Sequence, residues 1–269
     1  MELAPLIPAY RADEGELQIN TDIAEASALG LEKMFNLFFG YYHYPRVLLR
    51  INSNGGQLVA LHHILQVVER WRQEGREIRT EATFRAASAA ALLLSLGEVA
   101  SRRVQRHTAL LYHTIRIGGS DRQITAGSAD HLASLLQSRD QMLLRQLAAH
   151  VAAGFGGPLA LAVEGRARCE LLLLNRASLA EALDGHVPRS APKWLRVSCA
   201  MHRECQERHS TAPYLKALTR RFEQDMAMDL REAYALGLID SIVGVPELVP
   251  RATTLAPVTV ENRSLKLAA

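Results

Sequence analysis

Apolar residues recur at helical spacing from about Ile23 to Phe39, and Asn20, Thr21 and Asp22 stand ahead of them as N-cap candidates. RVLLRIN (46–52) is a short apolar run with the pattern of a buried strand, and SNGG (53–56) is a turn. Leu58 to Trp71 returns to a one-faced helical repeat, closed by the QEG at 73–75. EIRTEAT (77–83) predicts a second strand, FRAASAAALLLSLG (84–97) a helix stopped by Gly97, and TALLYH (108–113) a third strand. Strand, glycine turn, helix, strand, sharp turn, helix, strand is a crossover pattern, so parallel pairing follows. A long helix is predicted from roughly Ala129 to Val151. From Phe155 to about Leu215 the periodicity weakens while Gly, Pro, Arg and His accumulate. FEQDMAMDLREAYALGLIDSIV (222–243) then gives a helix followed by a short strand, and the stretch from Gly244, with Pro246, Pro250 and Pro257, has the character of a peripheral tail. No internal repeat is present.

The totals agree with a soluble α/β chain. Of 269 residues, 48% are hydrophobic and 22% charged, enough to bury one sizeable core. The opening residues lack a basic segment leading into an apolar one, and no apolar run is long enough to span a bilayer. A cytoplasmic protein without membrane attachment is therefore expected. Three cysteines, Cys169, Cys199 and Cys205, are too few for a disulfide framework and fit a reducing compartment. Arg and acidic residues alternate with no long basic stripe, which argues against a nucleic-acid surface. The chain also has no GxxxxGK[ST] loop, so any use of ATP would run through a separate protein.

Three short stretches can carry chemistry. Ser88 is placed at the start of its helix, where free N–H groups and the helix dipole favour a developing negative charge. Taken alone, it is more simply an N-cap serine. Gly55 and Gly56 permit unusual dihedrals and a close backbone approach, although an ordinary turn has the same composition. His113 ends an apolar strand at the edge where α/β proteins build their sites, and a hydrogen-bonded structural histidine fits the same position.

Together these blocks resemble the proteolytic subunit of the Clp protease, within the wider ClpP/crotonase superfamily. INSNGG (51–56) is similar to that family's IN-S-x-GG stretch, and FRAASAAALLLSLG to its G-x-A-S nucleophile turn and small-residue helix. SRRVQRHTALLYH (101–113) matches its basic segment and the apolar strand ending in His, and DMAMDLREAYALGLID (225–240) its final helix with a YGL-[VI]-D signature. Phe84 stands in place of the family's glycine and Asn54 in place of its proline.

The resemblance implies a repeated β-β-α spiral with a parallel sheet and a handle helix within 114–151. Residues 1–154 and 217–243 would form the core, 155–216 an insertion and 244–269 a C-terminal tail. It implies a serine endopeptidase with Ser88 as nucleophile, His113 as base and Asp225 as the acid, Asp229 being the rival one turn on. The N–H groups of Gly56 and Ala89 would form the oxyanion hole, with Gly55 supporting the turn. No cofactor is implied. The partners would be polypeptide substrates, further copies in heptameric rings, and an AAA+ ATPase that feeds them. A catalytically silent ring scaffold and a crotonase-type acyl-CoA enzyme are the competing functions.

Within the insertion, Cys199, His202, Cys205 and His209 recur at intervals of three, three and four and share one helical face. Zinc accepts such ligands, but one straight helix cannot close a tetrahedron without a distant partner such as Cys169. An amphipathic helix explains the spacing equally well, and no metal is expected.

Overall fold

The computed structural model describes residues 13–115, 126–174 and 191–245. Its sheet is built on parallel crossovers, in the order β1 (Glu14–Ile19), β2 (Arg46–Ser53), β3 (Glu77–Ala87), β4 (Arg103–Gln105) and β7 (Ser241–Val243). β5 (Ala109–Leu111) pairs in parallel with the end of β3, and β6 (Ala227–Met228) runs antiparallel along β5. The central strands are almost wholly apolar inside: Val47, Leu49 and Ile51 of β2 have no exposed surface, as expected of strands covered on both faces.

Between the strands lie α1 (Glu25–Phe35), which runs on as a π-helical turn at Asn36–Tyr41, α2 (Leu58–Gln73) and α3 (Ala89–Ser95). α4 (Ala126–Gly154) is the long helix of the expected handle region; residues 116–125 ahead of it lie outside those described. The tail beyond Val245 does too.

Several expectations need correction. β1, β4 and β6 were not anticipated: β1 has only two large apolar side chains and β4 only Val104 to mark them, while β6 interrupts the segment from Phe222 expected to be helical, where helix resumes only at Leu230–Ala235. The strand expected at 77–83 continues to Ala87, so FRAA is not helical. There Arg85, Ala86 and Ala87 pair with Ala109, Leu110 and Leu111, and this pairing overrides the helical propensity of alanine.

The weakly patterned stretch 155–216 is also more regular than expected. It contains α5 (Pro158–Leu174), α6 (Lys193–Arg208) and the first turns of α7 (Ala212–Phe222); residues 175–190 lie outside those described. Its periodicity was hidden because polar side chains occupy buried positions. Arg168 is 2% exposed, on the same stripe as Leu161, Cys169 and Leu172, and His202 has no exposed surface. α5 and α6 approach so closely that a Cβ at Gly165 would stand 2.0 Å from the His202 ring.

These helices are tied to α8 (Leu230–Ala235) and the chain after it by polar contacts. His202 Nε2 donates to Ala235 O (2.8 Å), and the Tyr214 hydroxyl donates to Leu236 O (2.6 Å). Arg168 reaches Ile239 O at 2.8 Å and Asp240 Oδ1 at 3.1 Å. Asp240 is also gripped by Arg102, through Nε to Oδ2 and Nη2 to Oδ1, both at 2.8 Å. Burial alone would raise the Asp240 carboxyl, but the two guanidinium groups hold it down at about 2. Among the described residues no single helix is long and apolar enough to cross a membrane.

Candidate active site

The carboxyl ends of β2, β3 and β5 lie side by side, and the chain leaving each of them contributes one part of a cavity of about 840 Å³. Gly56 follows β2, Ser88 and Ala89 follow β3, and His113 and Thr114 follow β5; all five line the wall. Parallel sheets place ligand sites at this edge.

The turn at Ser88 is sharp. With β3 running to Ala87 and α3 starting at Ala89, a single residue makes the reversal, at φ 56° and ψ −126°. That conformation is strained for a residue with a Cβ, by about 1–3 kcal/mol, and persists only where the surroundings impose it. They do so here, because Ser88 N donates to Leu111 O at 2.8 Å. Although Ser88 occupies the N-cap position, its hydroxyl makes no capping bond. The simpler explanation offered by the sequence therefore fails, and the half-buried serine lines a cavity instead.

The SNGG turn is shaped to the serine. Gly55 N donates to Ser53 Oγ at 3.1 Å, closing the turn locally. A Cβ on Gly55 (φ +99°) would lie 2.5 Å from Ala87 O and 2.6 Å from Ser88 Cβ, and one on Gly56 (φ +148°) would lie 2.1 Å from Ile23 O. Ile23 N donates to Gly55 O at 2.6 Å and Gln57 N donates to Ile23 O at 2.7 Å. The flanking residues thus make the bridge to Ile23, and the Gly56 N–H is not used in it. Ala89 begins α3 and has one of the N–H groups that a helix start leaves without an intrahelical partner. Asn54, in the family's proline position, accepts a bond from Arg85 Nη1 at 2.5 Å, joining this turn to β3. Phe84 is 64% exposed and is not on the cavity wall.

His113 is half-buried, and its Nδ1 lies 2.6 Å from Thr114 O. A carbonyl can only accept, so Nδ1 carries a proton, and in the neutral ring this leaves the lone pair on Nε2, the tautomer a general base requires. The approach to His113 is held by Tyr112, which is bonded to Ser95 Oγ at 2.6 Å and packed on Phe222 with ring centroids 4.9 Å apart. Burial pushes the Tyr112 hydroxyl up to about 12, so it remains a neutral partner.

Of the two acid candidates, Asp229 serves as the N-cap of α8, its Oδ1 accepting from Arg231 N at 2.7 Å. Asp225 is exposed, with φ 53°, in the turn after α7. The register that sets Leu111 against Ala227 would, if continued two residues, set His113 against Asp225. Among the described residues Asp225 is not on the cavity wall.

Two carboxylates of the described residues do share the wall with His113: Asp22, ahead of α1, and Asp140 of α4, which lies outside the motif blocks. Asp140 Oδ1 accepts from Ile115 N at 2.7 Å. Burial raises the Asp140 carboxyl, while the Ile115 N–H and the nearby His113 favour its charged form. The one available signal was an acid among Leu136, Leu143, Leu144 and Leu147 on the inward face of α4.

The four candidate ligands of the insertion do share a helix, with His209 as its left-handed C-cap. Among the described residues, however, no three His, Cys, Asp or Glu side chains are grouped to hold a metal ion. Contact with Cys199 and burial push the Cys169 thiol up, so the two sulfurs meet between α5 and α6.

A sharp serine-bearing turn on a parallel α/β sheet, beside two glycines and a strand-end histidine, is the arrangement expected of a ClpP-like peptidase. The Clp protease family model matches residues 16–154, more than half of the chain. The chain belongs to the Clp protease family. No curated protein matches it.

Proposed function

We propose that the protein is a serine endopeptidase that hydrolyses peptide bonds through Ser88, His113 and an aspartate, Asp225 in the family's order. The observation that carries this reading is the strained Ser88 turn, whose hydroxyl makes no capping bond, in a cavity that His113 also lines. Ser88 Oγ attacks the carbonyl carbon of the scissile peptide while His113 Nε2 takes its proton. The oxygen that becomes negative is held by the N–H groups of Gly56 and Ala89; such a donor contributes about 3–4 kcal/mol of transition-state stabilisation. Collapse breaks the C–N bond, and His113 returns the proton to the leaving amine. Water then attacks the acyl-enzyme by the same route and frees Ser88.

This chemistry needs no cofactor of its own. Membership of the family supports an assembly of like subunits acting on polypeptides; under the proposed reading it is a ring in the cytoplasm, with ATP entering through a separate AAA+ unfoldase. Labelling by a fluorophosphonate tests the assignment. Wild type should be modified at Ser88 and Ser88→Ala should not, while Asp225→Asn should label on the order of 10²-fold more slowly if it is the acid. Equal labelling of wild type and Ser88→Ala refutes the nucleophile. The alternative, a catalytically silent ring subunit, draws on the place of Asp225 off the cavity wall; a folded wild type that does not label would establish it.

A further inference from the structure

The contacts of His113 lead through one peptide group to a carboxylate. Its Nδ1–H is given to the carbonyl of Thr114 at 2.6 Å, and the N–H at the other end of that same peptide, Ile115 N, is given to Asp140 Oδ1 at 2.7 Å. We propose that Asp140 is a positioning residue for His113, acting through the Thr114–Ile115 peptide as imidazole, peptide and carboxylate in series. The inference rests on the serine-peptidase reading and gives it a residue from the handle helix, outside the motif blocks.

Each link has a physical consequence. A carboxylate bonded to the N–H end of a peptide draws electron density towards the carbonyl oxygen, which strengthens the bond that oxygen accepts from Nδ1–H. It also pins the plane of the peptide, and with it the tilt of the ring that must reach Ser88. When His113 takes the serine proton, the negative charge of Asp140 stabilises the imidazolium across this short chain. The place of Asp140 on α4 is fixed by packing, since Leu143, Leu144 and Leu147 on the same face are buried. The charged and titratable groups facing this corner are Asp22 ahead of α1, Arg139 beside Asp140, and His62 of α2, whose imidazole is lowered by burial and by Arg139. Arg139 and Asp22 oppose each other in sign, and Asp140 is bonded directly to the chain leaving His113.

Asp140→Asn retains an oxygen for the Ile115 N–H and removes the charge, whereas Asp140→Ala removes both. The rate of fluorophosphonate labelling at Ser88 should fall on the order of 10-fold in D140N and further in D140A, given that a positioned base contributes roughly 10²–10⁴-fold. The acid limb of the labelling rate should move to lower pH in both, because an imidazole without its carboxylate holds a proton less well. Exchange of the Ile115 amide should quicken in D140A and stay slow in D140N. If wild type labels at Ser88 and D140N matches it in rate and pH profile, the role of Asp140 is refuted and the peptidase reading stands. If wild type does not label, the peptidase reading falls and the role of Asp140 falls with it.

Discussion

Replacing Arg168 by leucine would test whether the helices between the two family blocks are part of one cooperative fold. The guanidinium is 2% exposed and spans three elements. It bonds Glu164 on its own helix (3.0 Å), the carbonyls of Ile239 (2.8 Å) and Tyr234 (3.3 Å), and Asp240 Oδ1 (3.1 Å). It also stacks 4.7 Å from the ring centroid of Tyr234 and 4.9 Å from that of Phe155. Leucine keeps the apolar stem but leaves the Ile239 carbonyl buried without this donor, a loss of about 1–3 kcal/mol, and removes the cation–π contacts, about 1–2 kcal/mol. Asp240 retains the bidentate Arg102, so the change stops short of orphaning a buried charge. The sum is about 2–5 kcal/mol, overlapping the range for breaking a buried pair. At roughly 2–4 °C per kcal/mol for a chain of this size, the melting temperature should fall by about 4–20 °C. Urea unfolding followed by circular dichroism, at one protein concentration throughout, measures the loss directly. A loss below about 1 kcal/mol in a single transition would refute the reasoning, and so would a separate early transition that leaves the sheet intact.

Other consequences can be checked on the same material. Gly55→Ala places a methyl 2.6 Å from Ser88 Cβ at a φ that L-residues avoid; strain and overpacking together should destabilise by about 2–5 kcal/mol and abolish labelling of Ser88. A variant as stable and as reactive as wild type would mean that the turn is not shaped to the serine. His150 and His202 are both held neutral by burial, at about 4 against an ordinary 6.5. Their folded values are lowered, so the unfolded chain binds protons first and stability falls as pH drops from about 6.5 to about 4, on the order of 3 kcal/mol for each histidine. Denaturation at fixed ionic strength across that range should show the loss, and His150→Gln should flatten part of it; a level profile from pH 7 to 4 would contradict both assignments.

The sequence alone determined the parallel α/β core and the blocks that carry Ser88, His113, Gly55 and Gly56. These features are local: a buried strand needs an apolar run, a reversal without a loop needs small residues, and each leaves its mark within a few positions. The same locality explains what went unread. β3 ends at Ala87 because β5 pairs with its last residues, and no pattern within FRAA announces a partner more than twenty residues away. The helices after Phe155 were obscured by Arg168 and His202, polar residues whose burial is made tolerable by Asp240, Ile239 and Ala235. Asp140 was invisible as a site residue for a related reason. Its chain position shows an acid on an apolar helical face, and only the packing of α4 beside the exit of β5 brings it to the Ile115 amide. Backbone conformation and burial pattern are written in neighbouring residues, whereas the partner of a polar group depends on where the whole chain returns, and that is decided by tertiary structure.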